Sequence, residues 1–79
     1  MFRTLLKTAS VAVDNQAYPV RYFEVRTLRG ARRYSVEILL GPDDPIILDA
    51  DSLVNLEARA LRLVPATLYS RMLVRATAA

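Results

Sequence analysis

The chain has 79 residues, 53% of them hydrophobic, and a formal net charge of +3. It contains no cysteine and no histidine, which excludes disulfides, thiolate nucleophiles, Cys-ligated metals and the commonest general base. No apolar run exceeds three residues, and Lys7 interrupts the N-terminal apolar stretch, so we expect neither a membrane span nor a signal peptide. The composition is typical of a small basic cytoplasmic protein, for which we expect no enzymatic activity and no cofactor.

The hydrophobic content is high for so short a chain. Area scaling gives a folded monomer about 4,800 Å² of surface, so that folding buries only about 63% of the surface of the unfolded chain. A mean hydropathy of +0.19 indicates more apolar material than such a globule can cover. We therefore expect a homodimer that shares its core.

The N-terminal residues favour β-structure. Residues 3–13 are rich in Thr, Ser and Val and predict a strand, although their apolar residues also recur at helical spacing, so a helix remains open. Asp14-Asn15-Gln16 is typical of a turn.

A hairpin follows, with strands at residues 20–28 and 33–40 joined around Gly30. The alternation of side chains predicts a register in which one face is apolar. The predicted cross-strand pairs are Leu28 with Arg33, Val25 with Val36, Phe23 with Ile38, and Glu24 with Glu37.

The C-terminal half reads as a short strand followed by two helices. Gly41-Pro42-Asp43-Asp44-Pro45 predicts a turn and Ile46-Ile47-Leu48 a strand. A helix begins at the capping residues 49–52 and ends before Pro65, which opens a second helix. The acids at positions 43–51 are explained by turn and cap roles, so we expect no metal site there.

The expected fold is thus one α+β domain over residues 1–79. Three to four antiparallel strands occupy residues 1–49, a helix-turn-helix pair occupies residues 50–77, and the whole forms an intertwined homodimer. The predicted dimer interface is the apolar helix stripe, Leu53, Leu56, Ala60, Leu61, Val64, Leu68 and Met72. Glu57 falls on this stripe and either pairs with an arginine of the second subunit or reaches water at its edge.

Two families resemble parts of this pattern. Leu48-Asp49, the apolar positions Leu56, Ala60 and Leu63, and residues 64–75 resemble the ribbon-helix-helix DNA-binding family of the Arc and CopG type. That resemblance implies an intertwined dimer, but the strand that would read DNA is apolar and acidic here, so its read-out residues do not carry over. A fainter resemblance is to single-strand-binding proteins that place a curved sheet before a dimerising helix.

The strongest functional signal is the arginine content of the hairpin. Five arginines against Glu24 give a balance of +4 in thirteen residues, with Tyr22 and Tyr34 interleaved. This pattern predicts contact with nucleic acid. The predicted nucleic-acid-binding residues are Arg21, Arg26, Arg29, Arg32 and Arg33.

We expect a homodimeric nucleic-acid-binding protein, such as a transcriptional regulator of plasmid or mobile-element type, that does not bind a membrane. DNA is favoured over RNA, and the choice between them and between double and single strands stays open. Whether a partner protein is encoded in the same operon is left open. The alternative is a protein–protein interaction module whose arginines meet an acidic partner, or arginines that simply form a solvated face.

Overall fold

A computed structural model describes residues 2–78 of the chain, and residues 3–76 with their side chains. Over that range the chain forms a sheet of strand order β1-β2-β3-β4, in which all neighbours are antiparallel, followed by one helix. The elements are β1 (Phe2–Val13), β2 (Gln16–Arg26), β3 (Arg32–Leu39), β4 (Pro45–Ala50) and α1 (Leu53–Ala78). The predicted α+β class, with antiparallel strands before the helical part, is confirmed.

The first hairpin resolves the ambiguity over residues 3–13 in favour of a strand. β1 pairs with β2 from Phe2 opposite Arg26 to Val13 opposite Gln16. Asp14 and Asn15 form the connecting turn with φ values of 50° and 67°. Positive φ at both central residues matches the right-handed twist of a two-residue hairpin, and Asp and Asn tolerate it better than most residues.

The predicted register of the second hairpin is wrong by three residues. β2 pairs with β3 through Val25 opposite Arg33 and Arg26 opposite Arg32, and residues 27–31 form the turn. Thr27 closes this longer turn, since its N–H donates to the Ala31 carbonyl at 3.0 Å and its Oγ1 accepts from the Ala31 N–H at 3.1 Å. Because three is an odd number, the shift moves every β2 side chain to the opposite face relative to β3.

The shift has two direct consequences. Phe23 and Val25 do not face Ile38 and Val36, because they lie on the other face of the sheet. The predicted apposition of Glu24 and Glu37 is also wrong, since Glu24 is opposite Tyr34 and Glu37 is opposite Arg21.

The core lies between one face of the sheet and α1. Val20 and Tyr22 of β2 and Val36 and Ile38 of β3 are buried there. From the helix, Leu56, Ala60 and Val64 complete the cluster, at the i, i+4, i+8 spacing that places three side chains on one helix face. β1 contributes Val11.

The helix does not break at Pro65, so the predicted helix-turn-helix pair is wrong. Ser52 caps the helix N-terminus, its Oγ accepting from the Asn55 N–H at 3.3 Å. From there α1 continues through Pro65 to Ala78. Proline removes one main-chain bond, to the Leu61 carbonyl. Pro65 and Leu61 are both exposed, so that water can donate a hydrogen bond to this carbonyl. Val64 and Leu68, on either side of the proline, pack against the sheet.

The residues predicted as a dimer interface separate into three groups. Leu56, Ala60 and Val64 are fully buried beneath the sheet of their own chain, and Leu53 and Leu68 pack at the margin of that core. Leu61 and Met72 are exposed. Glu57 lies at the edge of the stripe with its side chain 39% exposed, and there it accepts a hydrogen bond at 2.7 Å from Lys7 of β1.

Candidate nucleic-acid interface

Four of the predicted arginines meet at the end of the second hairpin. Arg26 ends β2, Arg32 and Arg33 begin β3, and Arg29 lies in the turn between them. All four are exposed. Gly30 follows Arg29 with φ 80°, and its N–H donates to the Thr27 carbonyl at 2.9 Å, so the turn is closed by its own hydrogen bonds.

One carboxylate forms ion pairs with two of these arginines. Arg26 and Arg32 are directly opposite each other, and the Nε atoms of both approach the same Glu24 Oε1, at 3.3 and 3.4 Å. Two like charges in apposition repel unless an acid lies between them. Glu24 performs that role and leaves the trio with a net charge of +1.

The other two arginines lack such a partner. Neither Arg29 nor Arg33 forms an ion pair with a carboxylate of residues 3–76. Arg33 lines a groove with Val25, Tyr34 and Asp49. With the trio around Glu24, they give the hairpin end a net charge of +3, which projects into solvent.

Arg21 lies apart from this group, in a second cluster on the sheet face that α1 does not cover. It sits opposite Glu37 on β3 and donates to that carboxylate, as does Arg3 of β1 at 3.2 Å. The hydrogen bond from Arg21, with help from that of Arg3, holds the pKa of Glu37 below its ordinary value against an opposing effect of burial. The structure therefore gives Arg21 a bond across the sheet.

Arg3 belongs to this second cluster, and the sequence did not predict that role. Its guanidinium lies 3.7 Å from the ring centroid of Phe23 and covers that ring, which is only 9% exposed. The signal was absent from the sequence because it depends on β1 pairing with β2, which places Arg3 opposite Val25.

Most of the aromatic surface near the arginines is covered. Tyr22 points into the core and is 4% exposed, and this burial raises the pKa of its hydroxyl. Tyr34 packs against the same core, and Phe23 is covered by Arg3. The hairpin end thus offers four exposed guanidinium groups and one partly buried ring, that of Tyr34, and guanidinium groups are suited to phosphate oxygens.

The described residues give no indication of other chemistry. No group of three or more Asp or Glu side chains within residues 3–76 is placed to hold a metal ion. Within residues 2–78, no helix is both long enough and apolar enough to cross a bilayer.

The chain matches no family model, no curated protein and no solved structure.

Proposed function

We propose that the protein is a small nucleic-acid-binding protein, a candidate DNA-binding regulator, which grips phosphates with the arginine end of its second hairpin. The observation that carries this proposal is the exposure of Arg29 and Arg33 without a carboxylate partner among the described residues. A folded chain has no packing reason to keep two such charges beside the Arg26–Glu24–Arg32 trio, whereas a polyanion neutralises them.

Phosphate contacts predict binding that depends on salt and only weakly on sequence. Replacing Arg29 and Arg33 together by Ala removes two charges without disturbing the core. If each contacts one phosphate, the slope of log affinity against log salt for a DNA duplex falls by about 1.8. Fluorescence anisotropy with a labelled duplex and a labelled single strand, at several salt concentrations, measures this change.

A matched control is available on the helix. Arg62→Ala with Arg75→Ala also removes two exposed arginines, but from α1. We expect it to reduce affinity less and to leave most of the salt slope. Equal losses in the two double variants would mean that only overall charge matters, and an absence of binding to either probe at low salt would overturn the proposal.

A second candidate function is docking to an acidic protein partner. It is favoured by Leu28, which precedes Arg29 in the turn and is 94% exposed, since apolar surface beside arginines is common at protein interfaces. This function predicts no saturable nucleic-acid binding at low salt, together with affinity for an acidic protein that Arg29→Ala with Arg33→Ala weakens.

A further inference from the structure

The free edge of β4 presents an unused set of main-chain hydrogen-bonding groups. Leu40 N–H donates to the Asp44 carbonyl at 3.1 Å where the β3–β4 hairpin begins. Bonded and non-bonded pairs alternate in an antiparallel ladder, so Ile46 and Leu48 bond to β3. Pro45, Ile47 and Asp49 therefore direct their main-chain groups away from the sheet, and proline occupies a position where it costs no bond within the ladder.

The side chains at this edge are apolar on both faces. Ile47 is 58% exposed on the face that α1 does not cover. On the other face, Leu48 borders a groove of about 290 Å³ between β4 and α1, which is also lined by Arg59, Arg62, Leu63 and Ala66. An edge of this kind favours pairing with another strand.

The opposite edge of the sheet is protected against such pairing. The ladder of β1 is irregular between Leu5 and Lys7, and a bulge disturbs the regular row of donors and acceptors. Arg3 and Lys7 place charged side chains along the same strand, and charged side chains on an edge strand disfavour pairing with another copy. Between Pro45 and Leu48, β4 has neither a charge nor an irregularity.

The accessible surface of the chain is larger than that of a typical monomer of the same mass. The accessible surface is 5707 Å², whereas a monomer of this mass is expected to expose about 4,800 Å². The excess of about 900 Å² is close to the area of about 800 Å² that each partner contributes to a standard interface. A second copy of the chain is therefore an occupant of suitable size.

We propose that two copies pair through antiparallel β4 strands about a two-fold axis at Ile47, which makes one continuous sheet across the dimer. In this register the two Ile47 residues exchange both main-chain hydrogen bonds. Each Asp49 N–H donates to the Pro45 carbonyl of the other copy, so four bonds form. Ile46 of one copy lies beside Leu48 of the other and enters the groove below Leu63.

The register follows from the side chains. Moving the strands by two residues in one direction retains four main-chain bonds but places Asp49 directly opposite Ile47, where a carboxylate faces an apolar side chain. In the other direction Pro45, which has no N–H, lies opposite Ile47, and only two bonds form. Moving the strands by one residue places main-chain groups that point away from the sheet opposite groups that already bond to β3. The arrangement centred on Ile47 keeps the two Asp49 carboxylates at opposite ends of the paired segment and buries the apolar residues together.

The first test is the mass in solution by light scattering and by sedimentation equilibrium. We expect wild type at tens of micromolar to have twice the 8.9 kDa mass of the chain, and Ile47→Arg to halve it, because the two arginines would meet at the axis. Val54→Arg introduces the same charge on α1 at a residue that is 74% exposed and should retain the wild-type mass. A monomeric wild type, or a folded Ile47→Arg dimer, would overturn the proposal.

A second pair of variants tests the axis itself, and does not depend on how Ile47→Arg folds. The chain has no cysteine, so Ile47→Cys carries one thiol, about 5.5 Å in Cα distance from its copy across a bonded pair. We expect mild oxidation to give a cross-linked dimer on a non-reducing gel, and Val54→Cys to stay uncrosslinked. Equal cross-linking of the two variants would contradict the arrangement.

Discussion

At the residue scale, Glu37 is the side chain on which the uncovered sheet face depends. It accepts hydrogen bonds from Arg21 of β2 and Arg3 of β1, and so connects three neighbouring strands. A carboxylate whose pKa is lowered in the folded state stabilises that state above its unfolded pKa, of about 4.3. This contribution is lost as the pH falls through the lower, folded value.

Glu37→Gln should therefore reduce the free energy of unfolding at pH 7 more than at pH 3. The lower pH lies below the unfolded pKa, so part of the stabilisation by the charge has been lost there and the two proteins become more alike. Urea denaturation at the two pH values measures the difference, and Asp43→Asn, in the exposed β3–β4 turn, controls for the loss of one negative charge. A Glu37→Gln deficit that is equal at both pH values would show that the charge of Glu37 is unimportant.

At the element scale, α1 shows how packing overrides local propensity. A proline in a helix interior is about 3 kcal/mol less favourable than alanine, and on that ground the sequence predicts two helices. The helix nevertheless continues, because Ala60, Val64 and Leu68 all pack against the sheet. A break at Pro65 would remove one end of that stripe from the core.

Pro65→Ala should raise the free energy of unfolding by about 1–3 kcal/mol, since it restores the hydrogen bond to the Leu61 carbonyl at an exposed position. Urea denaturation followed by circular dichroism measures the gain. Ala66→Pro is the converse variant at the adjacent exposed position and should be destabilising. An unchanged or lower stability of Pro65→Ala would indicate that the chain is locally adapted to proline.

At the scale of the whole molecule, the sheet and the helix share one core. The molecule measures 49 × 23 × 22 Å, and α1, about 39 Å long at 1.5 Å per residue, runs along most of its length. The helix packs against β1, β3 and β4, while the side chains of Val20 and Tyr22 from β2 fill the space beneath it. We therefore expect sheet and helix to unfold together.

Leu56→Ala should lower the free energy of unfolding by about 2–5 kcal/mol, because Leu56 is fully buried between helix and sheet. Leu61→Ala, on the same helix but 62% exposed, should change it by no more than about 0.5 kcal/mol. Helical circular dichroism and tyrosine fluorescence should shift by the same amount in Leu56→Ala. Separate transitions for the two probes would show that sheet and helix are independent units.

The sequence by itself determined the features that depend on neighbouring residues. The α+β class, the turn at Asp14 and Asn15, and the start of the helix after the capping residue Ser52 all follow from local preferences. The arginine density of the hairpin is likewise visible without a structure, because charge is a property of composition along the chain.

Only the tertiary structure decided which side chains meet. The register of the second hairpin depends on the hydrogen bonds that close residues 27–31, and a shift of three residues brings Arg21 opposite Glu37. The continuity of α1 through Pro65 and the burial of Tyr22 depend on the sheet that packs against them. Contacts between residues distant in the chain set these features, and their energies exceed the local preferences that sequence patterns report.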